Sequence, residues 1–213
     1  MRNSLIVTIL SLVILVGCMP FRYKKSYSIL EHINILQNME TLHLDTAAFK
    51  AHQAARYQFT REDESVVEQS YIESGDYYVE WVDSPTKFYT HYNLYYTNGN
   101  IKLKGYFLDD IDIGKWEHYD EHGNVEIEDM DKQFDAFDYN KVILLLHDIG
   151  VVDINTGDGK DGISYYFDKE KHQWEVITGY NYSKRLGRDS VYKYIIDSRT
   201  GKILQKKHVL VLE

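Results

Sequence analysis

The stretch with the most apparent chemistry is Asp153-Ile154-Asn155-Thr156-Gly157-Asp158-Gly159-Lys160-Asp161-Gly162. Oxygen donors at near-alternate positions, with glycines that let the chain bend, are what a calcium ion requires. A calcium loop that began at Asp153 would carry Asp or Asn at its fifth place, Gly at its sixth and Glu at its twelfth. Here those places hold Gly157, Asp158 and Ser164. The stretch therefore reads first as an acidic glycine turn, with Asp153, Asn155, Asp158 and Asp161 as the calcium candidates and no other metal set expected. His118 and His122 have an i, i+4 spacing that gathers zinc ligands on a helix, but they flank a turn between strands. Gly157 to Lys160 lacks the spacing and the following Ser/Thr of a phosphate loop. There is no His-Glu-x-x-His, no Gly-x-Ser-x-Gly elbow and no reactive cysteine motif. A triad or carboxylate pair assembled from distant residues stays open, but nothing marks one. The expectation is a protein without catalysis and without a cofactor.

The other chemically distinctive residue is Cys18, the only cysteine in the chain. It cannot form an intrachain disulfide, a cysteine metal cluster or a redox pair. Met1 to Ser4 is a short polar start with one positive charge, and Leu5 to Val16 is apolar apart from Thr8 and Ser11. That stretch is shorter than the roughly 20 residues a spanning helix needs and has the length of a signal-peptide core. It ends Leu15-Val16-Gly17-Cys18, which resembles the lipobox of bacterial lipoproteins. The resemblance implies cleavage between Gly17 and Cys18 and acylation of the Cys18 thiol. The lipid would anchor the protein at about 0.8 kcal/mol per buried methylene. Met19 is not the aspartate of an inner-membrane retention signal, so the expected location is the cell envelope, on the outer membrane facing the periplasm in a diderm cell.

The full chain has 213 residues and a net charge of −9. Without residues 1–17 it has 196 residues and, having lost Arg2, a charge of −10. That length can bury a proper core. The acidic balance, with no lysine/arginine stripe, argues against nucleic acid as a partner. Nineteen tyrosines and only two prolines point to a β-rich globular chain.

Four segments are expected to position these residues. Residues 1–17 form the signal peptide. Residues 18–60 are a tether and a helical leader, helical from Ser28 to about Tyr57 with a break near Thr41–Thr46. Residues 61–133 are a β-meander, and residues 134–213 are an α+β domain. Within the meander, Ser65–Glu73, Tyr77–Val82 and Lys87–Tyr96 read as strands between turn residues.

An internal repeat follows. Tyr95-Tyr96-Thr97-Asn98-Gly99-Asn100-Ile101-Lys102 returns 24 residues later as Tyr119-Asp120-Glu121-His122-Gly123-Asn124-Val125-Glu126. Each copy reads strand, glycine turn, strand. A two-residue Asn98-Gly99 loop would set Tyr96 opposite Ile101 and Leu94 opposite Leu103 on one face. Asp120 replaces Tyr96 in the second copy and predicts a bulged turn there. Asp109, Asp110 and Asp112 read as a solvated turn between the units. Gly99, Gly105, Gly114, Trp116, Tyr119 and Gly123 match the pattern of MORN-type repeats, and residues 92–129 resemble the YwqK family of proteins often labelled antitoxins. These glycines and aromatics read as turn residues and core rings, the alternative being that some tyrosines form an exposed binding surface. Two units are fewer than the three a repeat stack usually needs, so the piece should lean on its neighbours.

After the charged stretch Asp131 to Asp138, Tyr139 to Gly150 reads as a helix with Val142, Leu145, Leu146 and Ile149 on one face. Strands are expected at Ile163–Phe167, Trp174–Tyr182, Ser190–Ile196 and Ile203–Leu212, with a turn at Asp197–Lys202 that Asp197 caps and Gly201 bends. Trp174-Glu175-Val176 and Val191 to Leu204 resemble the PepSY domain over residues 136–213. That resemblance implies a helix on an antiparallel sheet and a binding or inhibitory role. The fold class expected is β-rich α+β. The function expected is a lipid-anchored, non-catalytic protein-binding module. Its partner would be a toxin, as for an immunity protein, or an envelope peptidase. The remaining alternative is a structural envelope protein.

Overall fold

In the computed structural model two antiparallel sheets follow one another along the chain. The structure describes residues 43–52, 56–179 and 191–209. Within Thr41–Glu213 these form one compact unit. Gly17, Cys18, most of the expected leader and the 183–188 turn lie outside the described residues.

A short helix, α1 (Thr46–Ala51), opens the unit. Asp45 starts it: one carboxylate oxygen accepts from the Ala47 and Ala48 amides at 3.1 and 2.9 Å, which otherwise lack helical partners. The expected break near Thr41–Thr46 thus ends at this cap. The expected helix to Tyr57 does not hold, because Tyr57 already lies in β1 (Arg56–Thr60).

The first sheet is a seven-stranded meander in the order β1-β2-β3-β4-β5-β6-β7. The strands after β1 are β2 (Val66–Ile72), β3 (Tyr77–Asp83), β4 (Thr90–Tyr95), β5 (Ile101–Leu108), β6 (Ile111–Tyr119) and β7 (Val125–Asp129). A 3-10 turn (Met130–Gln133) leads into α2 (Tyr139–Asp148), which Asp138 caps through the Lys141 amide. The second sheet is a four-stranded meander of β8 (Ile163–Asp168), β9 (Gln173–Thr178), β10 (Val191–Asp197) and β11 (Ile203–Val209). The β-rich architecture and the antiparallel meander are as the sequence implies.

Both repeat units close with the same bulged turn. Tyr96 donates its amide to Asn100 and Gly99 donates to Tyr96; Asp120 and Asn124, Gly123 and Asp120 do the same. Each is a three-residue loop whose third residue, Gly99 or Gly123, sits at positive φ. This corrects the two-residue loop expected for the first copy. Asn98 does not take positive φ, so the ladder slips by one residue: Leu94 pairs with Leu103, but Tyr95, not Tyr96, faces Ile101. The slip puts Tyr95 in the core, on the face opposite to Leu94.

One face of the large sheet, here the inner face, carries two apolar clusters. Tyr78, Tyr95 and Ile101 pack with Leu44 and with Phe49 of α1. Farther along, Tyr106, Leu108 and Ile113 share a cluster with Tyr139, Val142, Ile143 and Leu146 of α2 and with Trp174, Val176, Tyr194 and Ile196 of the second sheet. A single core therefore runs from β5 and β6 into the C-terminal segment, and each fully buried aliphatic side chain in it adds about 1.5–3 kcal/mol. The buried stripe of α2 is Tyr139, Val142, Ile143 and Leu146, whereas Ile149 is exposed. Ile149 falls at the end cap, and Gly150 at positive φ turns the chain away there.

Candidate functional site

The register of the large sheet sorts its side chains into two contrasting rows. On the inner face Gln69, Glu80, Asn93, Lys104 and Glu117 stand opposite one another across β2 to β6. This polar row separates the two apolar clusters. Glu80 is only 3% exposed. Its carboxylate accepts from Gln69 Nε2 at 2.7 Å, Asn93 Nδ2 at 3.1 Å and the Tyr95 hydroxyl at 3.2 Å, and Arg61 lies 3.6 Å away. Lys104 meets Glu117 at 3.7 Å, and the Tyr119 hydroxyl donates to Glu117 at 2.6 Å. A buried carboxylate is tolerated only when it is paired and hydrogen-bonded in this way. Both Glu80 oxygens are engaged by these partners. These bonds tie β3 to its neighbours β2 and β4. Nothing in the sequence marked this row, because its members lie on five strands and meet only through pairing.

On the opposite, outer face Glu68, Trp81, Tyr92 and Gly105 stand in register, and Trp116 of β6 leans across Gly105. Trp81 lies 4.6 Å from Tyr92 and 5.4 Å from Phe107, and Phe107 lies 5.0 Å from Trp116. The rings are tilted or edge-on to one another, which suits their quadrupoles. They form a herringbone across four strands. Trp81 is 37% exposed, whereas Trp116 and Trp174 are buried. The herringbone depends on Gly105: a Cβ there would enter the Trp116 ring. Gly114, at positive φ, sits in the bulge that carries Trp116 out onto this face. Gly105, Gly114 and Trp116, matched as repeat positions, thus come together. Tyr119 and Gly123 lie at the hairpin end instead, and Tyr96 donates its hydroxyl to the Tyr119 carbonyl at 2.9 Å.

The Asp153–Gly162 loop is accounted for by packing. Gly157 lies against the Pro85 carbonyl and Thr86 with no room for a Cβ, and Gly159 does the same against Val151. Lys160 pairs with Asp161 at 3.0 Å and with Asp83 of β3 at 3.2 Å. The Asp153 carboxylate accepts from the Asn155 amide at 2.8 Å, which holds its pKa below the usual carboxylate range. Asp153 and Asp158 meet through their backbones, at 2.9 Å. Among the described residues no group of three or more His, Cys, Asp or Glu side chains could hold a metal. His118 pairs with Glu128 at 3.5 Å, and His122 lies in the turn.

The same loop borders an open cleft of about 540 Å³ between the end of α2 and the second sheet. Its walls include Val152, Asp153, Asp158, Tyr192, Tyr194 and Lys206. The Lys206 ammonium lies 4.6 Å from the Tyr192 ring and 5.2 Å from the Tyr194 ring.

Asp109, read as a solvated turn residue, has a structural role that the sequence did not reveal. Its carboxylate accepts from the Ser164 hydroxyl at 2.6 Å and the Tyr165 amide at 3.1 Å, tying the turn between β5 and β6 to the edge strand β8. Asp197 caps its turn as expected, accepting from the Arg199 and Thr200 amides, and Gly201 has positive φ with Phe137 packed where a side chain would stand. No helix among the described residues is long and apolar enough to cross a membrane. No family model, curated protein or solved structure matches the chain.

Proposed function

We propose that the chain is a lipid-anchored envelope protein that binds another protein through the outer face of its large sheet, without catalysis. The Trp81–Tyr92–Phe107–Trp116 herringbone carries this reading. Aromatic side chains concentrate at the centres of protein interfaces, where they bury large area at low entropic cost. Here they are backed by a rigid sheet. The tilted rings present edges rather than one flat shelf, which suits interlocking side chains better than stacking of a planar ligand or sugar. The resemblance of Leu15-Val16-Gly17-Cys18 to a lipobox supports a membrane location for this surface. An immunity-like role, sequestering a toxin, follows from the YwqK resemblance.

A photo-crosslinking residue in place of Trp81, in cells that make the full chain, tests the reading. We expect one discrete adduct in the membrane fraction and none from the same residue in place of Glu170, in the β8–β9 turn. Equal adducts from both positions, or none from Trp81, would sink it. Cys18→Ser should release the protein from the membrane fraction.

A second reading, a PepSY-type regulator of an envelope peptidase, is favoured by one observation. Helix α2 shares its buried cluster with Trp174, Val176, Tyr194 and Ile196 of the four-stranded sheet.

A further inference from the structure

The large sheet ends in β7, which pairs only with β6 among the described residues. Its outward edge is a row of backbone groups available for a further strand. Two features set it apart from an edge that is merely protected. First, β7 exposes two aliphatic side chains, Val125 at 50% and Ile127 at 57%. Second, it is held extended at both ends. At its start the Asp120 carboxylate accepts from the His122 and Asn124 amides, each at 2.9 Å. At its end Asp129 accepts from the Asp131 amide, Asp131 accepts from the Gly114 amide at 2.7 Å, and Gln133 donates to the Asp112 carbonyl at 2.7 Å. An incoming strand would meet an edge that needs no ordering, which is where the cost of strand addition usually falls.

The side chains of β7 state the chemistry of that strand. Val125 and Ile127, opposite Tyr119 and Glu117, project on the inner side; Glu126 and Glu128, opposite His118 and Trp116, project on the outer side. The geometry points to β7 as the docking edge for an extended protein segment in which basic and apolar residues alternate. Its Lys or Arg residues would stand beside Glu126 and Glu128 and its apolar residues beside Val125 and Ile127, the cross-strand pairs that favour each other. A second copy is a poor occupant: antiparallel self-pairing about Ile127 would put Glu126 of each copy against Glu128 of the other, like charges face to face. The inference rests on the reading of this chain as a protein-binding module and names its partner's class.

The test uses the full chain and three short capped peptides: one alternating Lys and Val, one alternating Glu and Val, and one of the first composition with lysines and valines in separate blocks. Amide hydrogen exchange is followed at Val125–Asp129 and fluorescence at Trp81. We expect the alternating Lys–Val peptide alone to protect the β7 amides. The double variant Glu126→Lys, Glu128→Lys should weaken that peptide by about tenfold and favour the Glu–Val peptide instead. Equal protection by the blocked peptide, or an unchanged preference in the double variant, overturns the assignment. If the Lys–Val peptide changes Trp81 emission and leaves β7 unprotected, the edge assignment falls while the binding-module reading stands. If β7 is protected and Trp81 yields no cross-link in cells, the edge assignment holds and the aromatic face is not the contact.

Discussion

Asp109 reaches from the β5–β6 turn to Ser164 at the start of β8, its carboxylate oxygen 2.6 Å from the serine hydroxyl. It is the side-chain tie between the repeat segment and the second sheet at that corner, and the same oxygen takes the Tyr165 amide. Asp109 also sits at a φ of 56°, which Asp and Asn tolerate better than most residues.

Asp109→Ala should therefore destabilise by about 1–3 kcal/mol, from the lost charged acceptor and the unfavourable backbone together. Asp109→Asn should cost less, because it keeps an acceptor and tolerates the backbone. Urea midpoints of the two variants check the order. Equal losses would mean that the bonds to Ser164 and Tyr165 add nothing.

Gly105→Ala should disturb the herringbone without touching the core beneath. The new methyl enters the Trp116 ring, so the ring must swing away, at a cost of about 1–3 kcal/mol. Adding Trp116→Ala removes the clash. The double variant should then be less destabilised than the two single losses added together. Strict additivity in a double-mutant cycle would show that the two residues do not interact.

The sequence made the meander legible because its strands carry period-two patterning between Gly, Asn and Asp turns. Asp197 and Gly201 were readable as a cap and a bend for the same local reason. The hairpin register was not legible at Tyr96, where one bulged residue reverses which neighbour is buried and which is not. The Asp153–Gly162 loop was legible as an acidic glycine turn, but not what its glycines answer to: Pro85, Thr86 and Val151, contacts that no local pattern announces. The polar row at Glu80 and the ring row at Trp81 were illegible for one physical reason. Each is assembled from single residues on successive strands, and only the pairing register brings them together.

Acid should weaken the joint between the 131–138 stretch and the second sheet. The Ser198 hydroxyl donates to Asp135, and His172 Nδ1 lies 2.9 Å from the same carboxylate oxygen. These bonds, the Ser198 one foremost, hold the Asp135 carboxyl below the usual carboxylate range in the folded chain. A depressed folded pKa means stability that is present above the unfolded value, about 3.9, and lost as pH falls through the folded one. The stability gap between the wild-type chain and Asp135→Asn should be open at neutral pH and should close below about pH 4. A gap that stays constant across that range would remove Asp135 from the acid response.

Two buried polar groups should respond to removal with opposite signs. Glu80 is met by Gln69, Asn93, Tyr95 and Arg61, so Glu80→Ala strands three donors and a cation on the inner face. The expected loss is about 3–5 kcal/mol, the range for breaking a buried pair from one side. The Tyr165 hydroxyl is also buried, no partner among the described residues meets it, and burial pushes its pKa well up. It was desolvated without compensation, so Tyr165→Phe keeps the ring in the core and should leave stability unchanged or raise it by about 1 kcal/mol. Thermal melts of the two variants decide the matter. A destabilised Tyr165→Phe would place an ordered water or another acceptor at that hydroxyl, and a silent Glu80→Ala would strip the polar row of its role in tying β3 to β2 and β4.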